Sequence, residues 1–250
     1  MQQRRQQIVA YVNRMGTVSF SQLRQQFPDV SEMTLRTDLK ALDEARRLVR
    51  VHGGAKSVEV VVGTDDFLGR RAHRSAAQKE AIARKALALL RPDSTIYLDS
   101  GSTATALAHV LPDERFQIVT NSISCAAELF RLEKARVLMP GGFVNRYSQS
   151  LCGISSVEAV RSVNFDLALL GTTSFSERAG FSCGMEEEAQ LKRTVLHQAE
   201  RAYILMDSDK VELTSAFSFA ALSEVTGIVS DGGLPDELVS ACRKLGVEVL

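Results

Sequence analysis

Ser31-Glu32-Met33-Thr34-Leu35-Arg36-Thr37-Asp38-Leu39-Lys40 decides how the front of this chain is read. Leu35, Leu39 and Leu42 stand at i, i+4 and i+7, the apolar stripe of a helix. Met33, Arg36, Thr37, Lys40 and Glu44 fall opposite that stripe. Ser31 is the expected N-cap, and Glu32 suits the positive end of the helix dipole. Arg and Lys on such a face reach guanine edges or phosphates in a major groove, and Thr meets a thymine methyl. A charged helix face by itself is usually just solvated, so the flanking sequence carries the weight.

Upstream, Ile8, Val9, Val12 and Met15 recur at helical spacing, with Gly16 expected to close that helix. A short second helix is expected over Phe20–Gln26, capped by Ser19 and buried through Leu23 and Phe27. Pro28-Asp29-Val30 makes the turn into the third helix, because proline cannot continue a helix. Downstream, Leu48-Val49-Arg50-Val51-His52 alternates into Gly53-Gly54, the pattern of a hairpin wing with glycine at its tip. Residues 1–57 are therefore expected to form a winged helix-turn-helix. Its expected DNA contacts are Ser31, Met33, Thr34, Arg36, Thr37, Lys40, Arg50, His52 and Lys56, with Arg46 and Arg47 along the backbone edge.

Charge supports that division. Residues 1–57 carry ten Lys/Arg against five Asp/Glu, a net +5, whereas the rest of the 250 residues carry twenty against twenty-five, a net −5. A basic head on an acidic body suits a binder of double-stranded DNA. The four cysteines, Cys125, Cys152, Cys183 and Cys242, are scattered without CxxC or histidine spacing, so free thiols in a reducing compartment are expected. No metal site and no cofactor is expected, no catalytic nucleophile motif occurs, and no apolar run has the length of a membrane span. A cytoplasmic protein is the expectation.

Residues 58–74 read as a linker. Val58, Val60, Val61 and Val62 suit a short strand, and Arg70-Arg71-Ala72-His73-Arg74 is expected to be solvated. Ser75 is expected to cap a helix running to Leu90. Beyond it, short apolar runs alternate with helical stretches: Thr95–Leu98, Gln117–Thr120, Arg136–Met139, Phe165–Leu170, Ala202–Met206 and Gly227–Ser230. That alternation predicts, for residues 75–250, a doubly wound α/β domain with a largely parallel sheet. Ligands of such folds sit beyond the carboxyl ends of the strands. The residues that follow the runs are the candidates: Asp99, Ser100, Gly101, Ser102 and Thr103; Asn121 and Ser122; Gly141 and Gly142; Gly171 and Thr172; and Lys210 near Asp207. Small hydroxyls, a glycine and a helix start make an anion cradle.

Ser-x-x-Thr-Leu-Arg-x-Asp-Leu followed by Arg-x-His-Gly-Gly-Ala resembles the signature of the DeoR family of bacterial sugar-metabolism regulators. Thr37 stands where that family usually has a second Arg, and Pro28-Asp29 lengthens the turn by one residue. The second part is similar to the family's effector domain through Leu98-Asp99-Ser100-Gly101-Ser102-Thr103, Thr120-Asn121-Ser122, Gly141-Gly142, Phe165-Asp166-Leu167-Ala168 with Gly171, Glu188-Ala189 through Lys192, and Asp207 with Lys210. This domain resembles ribose-5-phosphate isomerases. The resemblance implies that Ser100, Gly101, Ser102 and Thr103 hold a phosphate, that Asp99 meets sugar hydroxyls and that Lys210 supplies counter-charge. It implies a transcriptional repressor controlled by a small phosphorylated sugar, working as a homodimer or higher homo-oligomer. The alternative is a sugar-phosphate isomerase-like enzyme. Against it, Leu170-Gly171-Thr172-Thr173 lacks the acids that isomerases of that type present after the corresponding strand.

Overall fold

The computed structural model describes residues 2–15, 17–45, 47–51, 53–57, 68, 71 and 75–250. The chain divides into two compact units, Met1–Asp66 and Phe67–Leu250. The strand expected in Val58–Val62 lies outside the described residues, as do Gly16, Arg46 and His52.

The first unit contains helices α1 (Gln2–Met15), α2 (Phe20–Gln26) and α3 (Glu32–Glu44) and strands β1 (Thr17–Ser19), β2 (Val49–Val51) and β3 (Gly54–Lys56). The ends of α2 follow from capping. Ser19 and Gln22 satisfy each other's backbone N–H in a capping box, and Ser31 Oγ accepts from Thr34 N at 3.2 Å at the start of α3. The hairpin β2–β3 turns through Gly53 at φ +80°, as the wing reading requires. Its second strand also pairs with β1, which the sequence pattern did not show, so the wing sheet runs β1-β3-β2. Leu35, Leu39 and Leu42 bury against Ile8, Val12 and Leu23, each worth about 1.5–3 kcal/mol on leaving water. Met15, expected on the buried face of α1, is half exposed at its last position.

Asp38 is the polar member of this core. Its carboxylate is buried and accepts from Arg4 Nε and Arg5 Nε of α1, both at 2.7 Å. Burial pushes its pKa up, but the two guanidinium hydrogen bonds and charges outweigh that and hold it below the usual aspartate value.

The second unit is organised on a seven-stranded sheet of β4 (Thr95–Leu98), β5 (Gln117–Thr120), β6 (Arg136–Leu138), β9 (Leu167–Gly171), β12 (Ala202–Leu205), β14 (Gly227–Val229) and β15 (Glu248–Val249). The order is β15-β14-β12-β9-β4-β5-β6, and every neighbouring pair is parallel. Residues alternate between two cores. Ile96, Leu98, Ile118, Leu167, Leu169 and Leu205 pack with helices α4 (Ala76–Ala86), α5 (Ser102–Val110) and α6 (Ile123–Leu129). Tyr97, Val119, Ala168, Leu170 and Ile204 pack with α7 (Ile154–Arg161), α8 (Glu186–Gln198) and α9 (Asp236–Leu245). That period of two with both faces covered is the doubly wound architecture.

Two additions were not legible in the hydrophobic pattern. A hairpin of β7 (Phe143–Asn145) and β8 (Ser150–Cys152) follows β6. A separate antiparallel sheet runs β10 (Ser174–Ser176), β11 (Gly180–Cys183) and β13 (Phe217–Ala220). Ser75 corrects a further expectation. It sits in the left-handed region at φ 52° without capping α4, and its hydroxyl donates to Asp209 at 3.2 Å instead.

Asp38→Ala should lower the stability of the whole chain by on the order of 2 kcal/mol at neutral pH in urea unfolding. The depressed folded-state pKa makes this contribution complete above the unfolded aspartate value and removes it as pH falls through the folded one. The gap between variant and parent should therefore close in acid. An equal gap at neutral and strongly acid pH would refute the ionic role.

Candidate anion basin and DNA-reading helix

The order of the large sheet reverses at β4. The strands that follow it first, β5 and β6, lie on one side, and β9, β12, β14 and β15 lie on the other. A crevice opens at the carboxyl ends of two strands that diverge this way. Here those ends are Asp99, just past β4, and Gly171, the last residue of β9.

Asp99 ties the two ends together. Its Oδ2 accepts from Gly171 N at 2.8 Å and is ion-paired with Lys192 Nζ of α8. Lys192 also donates to Gly171 O at 3.0 Å. Both side chains are almost wholly buried. Burial drives the Lys192 pKa down, and the charge and hydrogen bond of Asp99, together with the charges of Cys183 and Glu188, outweigh it and keep the ammonium above the ordinary lysine value. Glu188, one turn before Lys192, accepts from Asn145 Nδ2 at 3.4 Å. Sequence reading takes Glu186, Glu187 and Glu188 as helix-start acids that favour the dipole, with a base for an isomerase as the alternative, and gives Lys192 no role beyond the resemblance. The first-turn acids Glu186 and Glu187 do keep the dipole-facing position, but Glu188 is buried.

Above this floor lies the loop Ser100-Gly101 and the start of α5. Gly101 is the N-cap residue at φ 110° and offers no side-chain cap, so the first N–H groups of α5 keep their donor capacity. Ser100, Gly101 and Ser102 are partly exposed, and Thr103 is buried. Gly171 approaches so closely that a Cβ there would stand 3.2 Å from the Ser100 carbonyl. Lys210 comes from the loop after β12. Its Nζ donates to Thr172 O at 2.8 Å and lies 3.6 Å from Asp207 Oδ2. Burial lowers its pKa, Asp207 opposes that, and the charges of Arg71 and Lys192 add to the lowering.

Arg71 revises the solvated-linker expectation for its position. It is half-buried, and a Cβ on Gly101 would stand 3.7 Å from its Nη2. Its Nε is buried with no hydrogen-bond partner among the described residues. Its carbonyl accepts from Lys79 Nζ of α4. The signal for Arg71 was absent from local composition, where five polar residues in a row read as a tether.

The structure thus gathers Asp99, Ser100, Gly101, Ser102, Gly171, Thr172 and Lys210 at one crevice, and adds Arg71 and Lys192. The other candidates do different work. Asn121 and Ser122 are buried. Asn121 accepts from Tyr97 OH at 3.1 Å and donates to Leu151 O, while Ser122 caps α6. Gly142, at φ 142°, faces the Cys152 carbonyl and Ser156 Oγ so closely that any Cβ would collide, and Gly141 O accepts from Ser156 Oγ. The Thr172 hydroxyl donates to Ser174 O and Ser182 O.

In the first unit, Ser31, Met33, Arg36, Thr37 and Lys40 are exposed along one face of α3, Thr34 is half-buried, and Arg50 is exposed on the wing. Arg36 pairs with Glu32 at 2.8 Å and lies 4.4 Å over the Phe20 ring. Lys40 is 3.9 Å from Glu44. Thr37 Oγ1 donates to Met33 O at 2.9 Å. The Arg50 N–H is fixed by Asp43 at 3.0 Å. For Lys56 the structure describes the backbone in β3.

A winged helix whose third helix exposes Arg36, Thr37 and Lys40 along one face, joined to an α/β unit whose crevice gathers cations, is the build of a DNA-binding regulator with a sensor domain. Residues 4–61 match the family model described as the DeoR-like helix-turn-helix domain, and residues 74–232 match the DeoR C terminal sensor domain. The chain belongs to the DeoR family of transcriptional regulators. It is 32% identical over 244 residues to the L-fucose operon activator of Haemophilus influenzae, covering 98% of this chain and 97% of that protein. It is 30% identical over 250 residues to the putative aga operon transcriptional repressor of Escherichia coli O157:H7, covering 99% and 93%. Among solved structures, ribose 5-phosphate isomerase A of Methanocaldococcus jannaschii aligns at TM-score 0.38 and 17% identity over 53% of each chain. Translation initiation factor eIF-2B of Pyrococcus horikoshii aligns at TM-score 0.47 and 14% identity over 66% and 67%. Likeness at that level says nothing about activity. Among the described residues, no helix is long and apolar enough to cross a membrane.

Lys192→Met should leave the Asp99 carboxylate buried without its cation and cost about 3–5 kcal/mol in urea unfolding. Asp99→Asn added to that variant should recover part of the loss, because the uncompensated charge is gone. A single variant as stable as the parent would show that the pair does not hold the crevice floor.

Proposed function

We propose that this chain regulates transcription of carbohydrate-metabolism genes as a repressor, and that the crevice above Asp99 takes a phosphorylated sugar or sugar derivative. The observation that carries the reading is that Arg71 stands beside Gly101 at the uncapped N-terminus of α5, while Lys210, bound to the Thr172 carbonyl next to Gly171, lies near enough to feel the charge of Arg71. A helix start with free N–H groups favours an anion, and two cations at the same place multiply that preference. The names of the two operon regulators above support the carbohydrate setting. In this reading Ser100, Gly101, Ser102 and Thr103 cradle the phosphate. Asp99 has one oxygen committed to Gly171 and Lys192, so its part in sugar recognition is to orient the floor and offer its remaining oxygen to a hydroxyl.

The functional division we adopt is residues 1–57 for DNA and 75–250 for the effector, with 58–74 between them. Met33, Arg36, Thr37 and Lys40 read bases, while Ser31, Thr34, Arg50, His52 and Lys56 position the unit on phosphates. Two or more copies act on repeated half-sites, since a single winged helix covers little DNA. Effector and operator are linked, each favouring a different arrangement of the copies. The protein works in the cytoplasm and is not an enzyme: the loop Gly171-Thr172-Thr173 brings no carboxylate, and Asp99 is already ion-paired with Lys192.

A thermal-shift panel of sugar phosphates tests the effector assignment. A ligand at a hundred times its Kd should stabilise by about 2.7 kcal/mol and raise the melting temperature. Ser102→Glu places a carboxylate in the cradle and should abolish that shift while operator binding survives. An undiminished shift in this variant would place the ligand elsewhere. For the DNA face, Arg36→Ala should weaken specific operator binding by on the order of 1–3 kcal/mol in a gel-shift titration. Unchanged affinity would remove Arg36 from the interface.

A further inference from the structure

The first unit ends at Asp66, and Leu68 and Arg71 are the first described residues of the second. Both are fastened to the sensor unit. Leu68 is buried, and its N–H donates to Tyr147 O at 2.9 Å in the turn between β7 and β8. Tyr147 N donates to Asn145 Oδ1 at 2.9 Å, and Asn145 Nδ2 donates to Glu188 of α8, one turn before Lys192. The Arg71 carbonyl accepts from Lys79 Nζ of α4. The chain arriving from the first unit is therefore anchored at two points, and one of them runs through side chains to the helix that carries the crevice floor.

The Arg71 side chain is not satisfied in the same way. Its Nη2 lies beside Gly101, and its Nε is buried with no hydrogen-bond partner among the described residues. A buried donor left unpaired asks for a partner. The carboxylates of the crevice are engaged by other cations, Asp99 by Lys192 and Asp207 by Lys210. Lys210 feels the positive charge of Arg71, which adds to the lowering of its pKa. Like charges in a half-buried place repel, and a phosphate group between them turns that repulsion into two attractions.

We propose that Arg71 is an anion-dependent latch: a phosphate group in the cradle pairs with its guanidinium and holds the stretch carrying Leu68 and Arg71 on the sensor unit, and loss of the phosphate lets that stretch go. The inference rests on the effector reading and adds how that site regulates. Arg71 belongs both to the crevice and to the chain that leads to the DNA-binding unit, so occupancy of one sets the free length of the other. Each residue released lengthens the connection by up to roughly 3.5 Å. A longer tether spreads each DNA-binding unit over more positions, while paired half-sites demand a fixed spacing. Lys210 has no such reach. It strengthens anion binding without being part of the connecting chain.

Amide hydrogen exchange of the full-length protein, read by mass spectrometry, tests the latch. The probe is inorganic phosphate against sodium chloride of equal ionic strength. Two peptides are followed, one carrying Leu68 and Arg71 and one carrying the start of α5. At phosphate ten times its Kd, both should exchange about tenfold more slowly in the parent, because opening now requires anion release. Arg71→Gln, compared at the same saturation, should keep the slowing at α5 and lose it at Leu68. Lys210→Gln should need more phosphate yet show both slowings once saturated, a separation that general loosening of the crevice would not give. Arg71→Lys, which keeps the charge, should recover part of the slowing at Leu68. A parent slowed at α5 alone, an Arg71→Gln variant slowed like the parent at Leu68, or a lysine no better than glutamine would overturn the latch and leave the effector reading standing. No slowing at either peptide in the parent would sink both.

Discussion

The carboxylate of Asp99 stands where the large sheet changes direction, and the rest of the sensor unit depends on how it is satisfied. Strands β4 and β9 are hydrogen-bonded neighbours, yet the chain leaves their carboxyl ends toward opposite faces. Something must join those ends without filling the crevice between them. Asp99 does so by accepting from the Gly171 N–H, and Lys192 closes the arrangement by binding both the carboxylate and the Gly171 carbonyl. A buried charge pair of this kind is a weak source of net stability, but losing one member is expensive. The pair therefore fixes geometry: it keeps Ser100-Gly101 and the start of α5 open toward solvent while the floor beneath stays closed.

The DNA-binding unit solves a related problem with the same chemistry. Asp38 lies on the buried side of α3, between Leu35 and Leu39, and two arginines from α1 neutralise it. The Arg-x-Asp-Leu part of the family signature thus combines two jobs on one helix. Arg36 faces outward, stacked on Phe20, and Asp38 faces inward, tying α3 to α1. Rigid placement of α3 is what the proposed base reading by its exposed side chains requires.

Much of the fold was legible because burial and periodicity coincide. β4 and β5 span the same residues as the runs Thr95–Leu98 and Gln117–Thr120, since strands covered on both faces keep apolar residues at consecutive interior positions. α2 begins and ends where Ser19 and Pro28 direct. The small sheet escaped for the converse reason. Its interior holds Ser174 and Ser182, whose hydroxyls satisfy each other at 3.0 Å, and Ser215 bonds to Ser174 at 2.7 Å. Buried serines satisfied by one another look like loop residues in a sequence. Of the candidate site, the residues just past β4 and β9 were found, because strand ends are readable. Arg71 and Lys192 were not, because their burial depends on elements far along the chain. Asn121, Ser122 and Gly142 fell on strand ends too, but Asn121 bonds to Leu151 and Gly142 packs on Cys152 of the β7–β8 hairpin, and Ser122 caps α6.

The central claim is that an anion held above Asp99 changes how the DNA-binding units dock. Operator affinity of the full-length protein, measured by fluorescence anisotropy across a titration of a sugar phosphate that stabilises it, tests this most directly. The account predicts an affinity change of about 5- to 150-fold that saturates with the effector, matched by an equal change in effector affinity when operator is present. Operator affinity that stays constant while the crevice fills would contradict it.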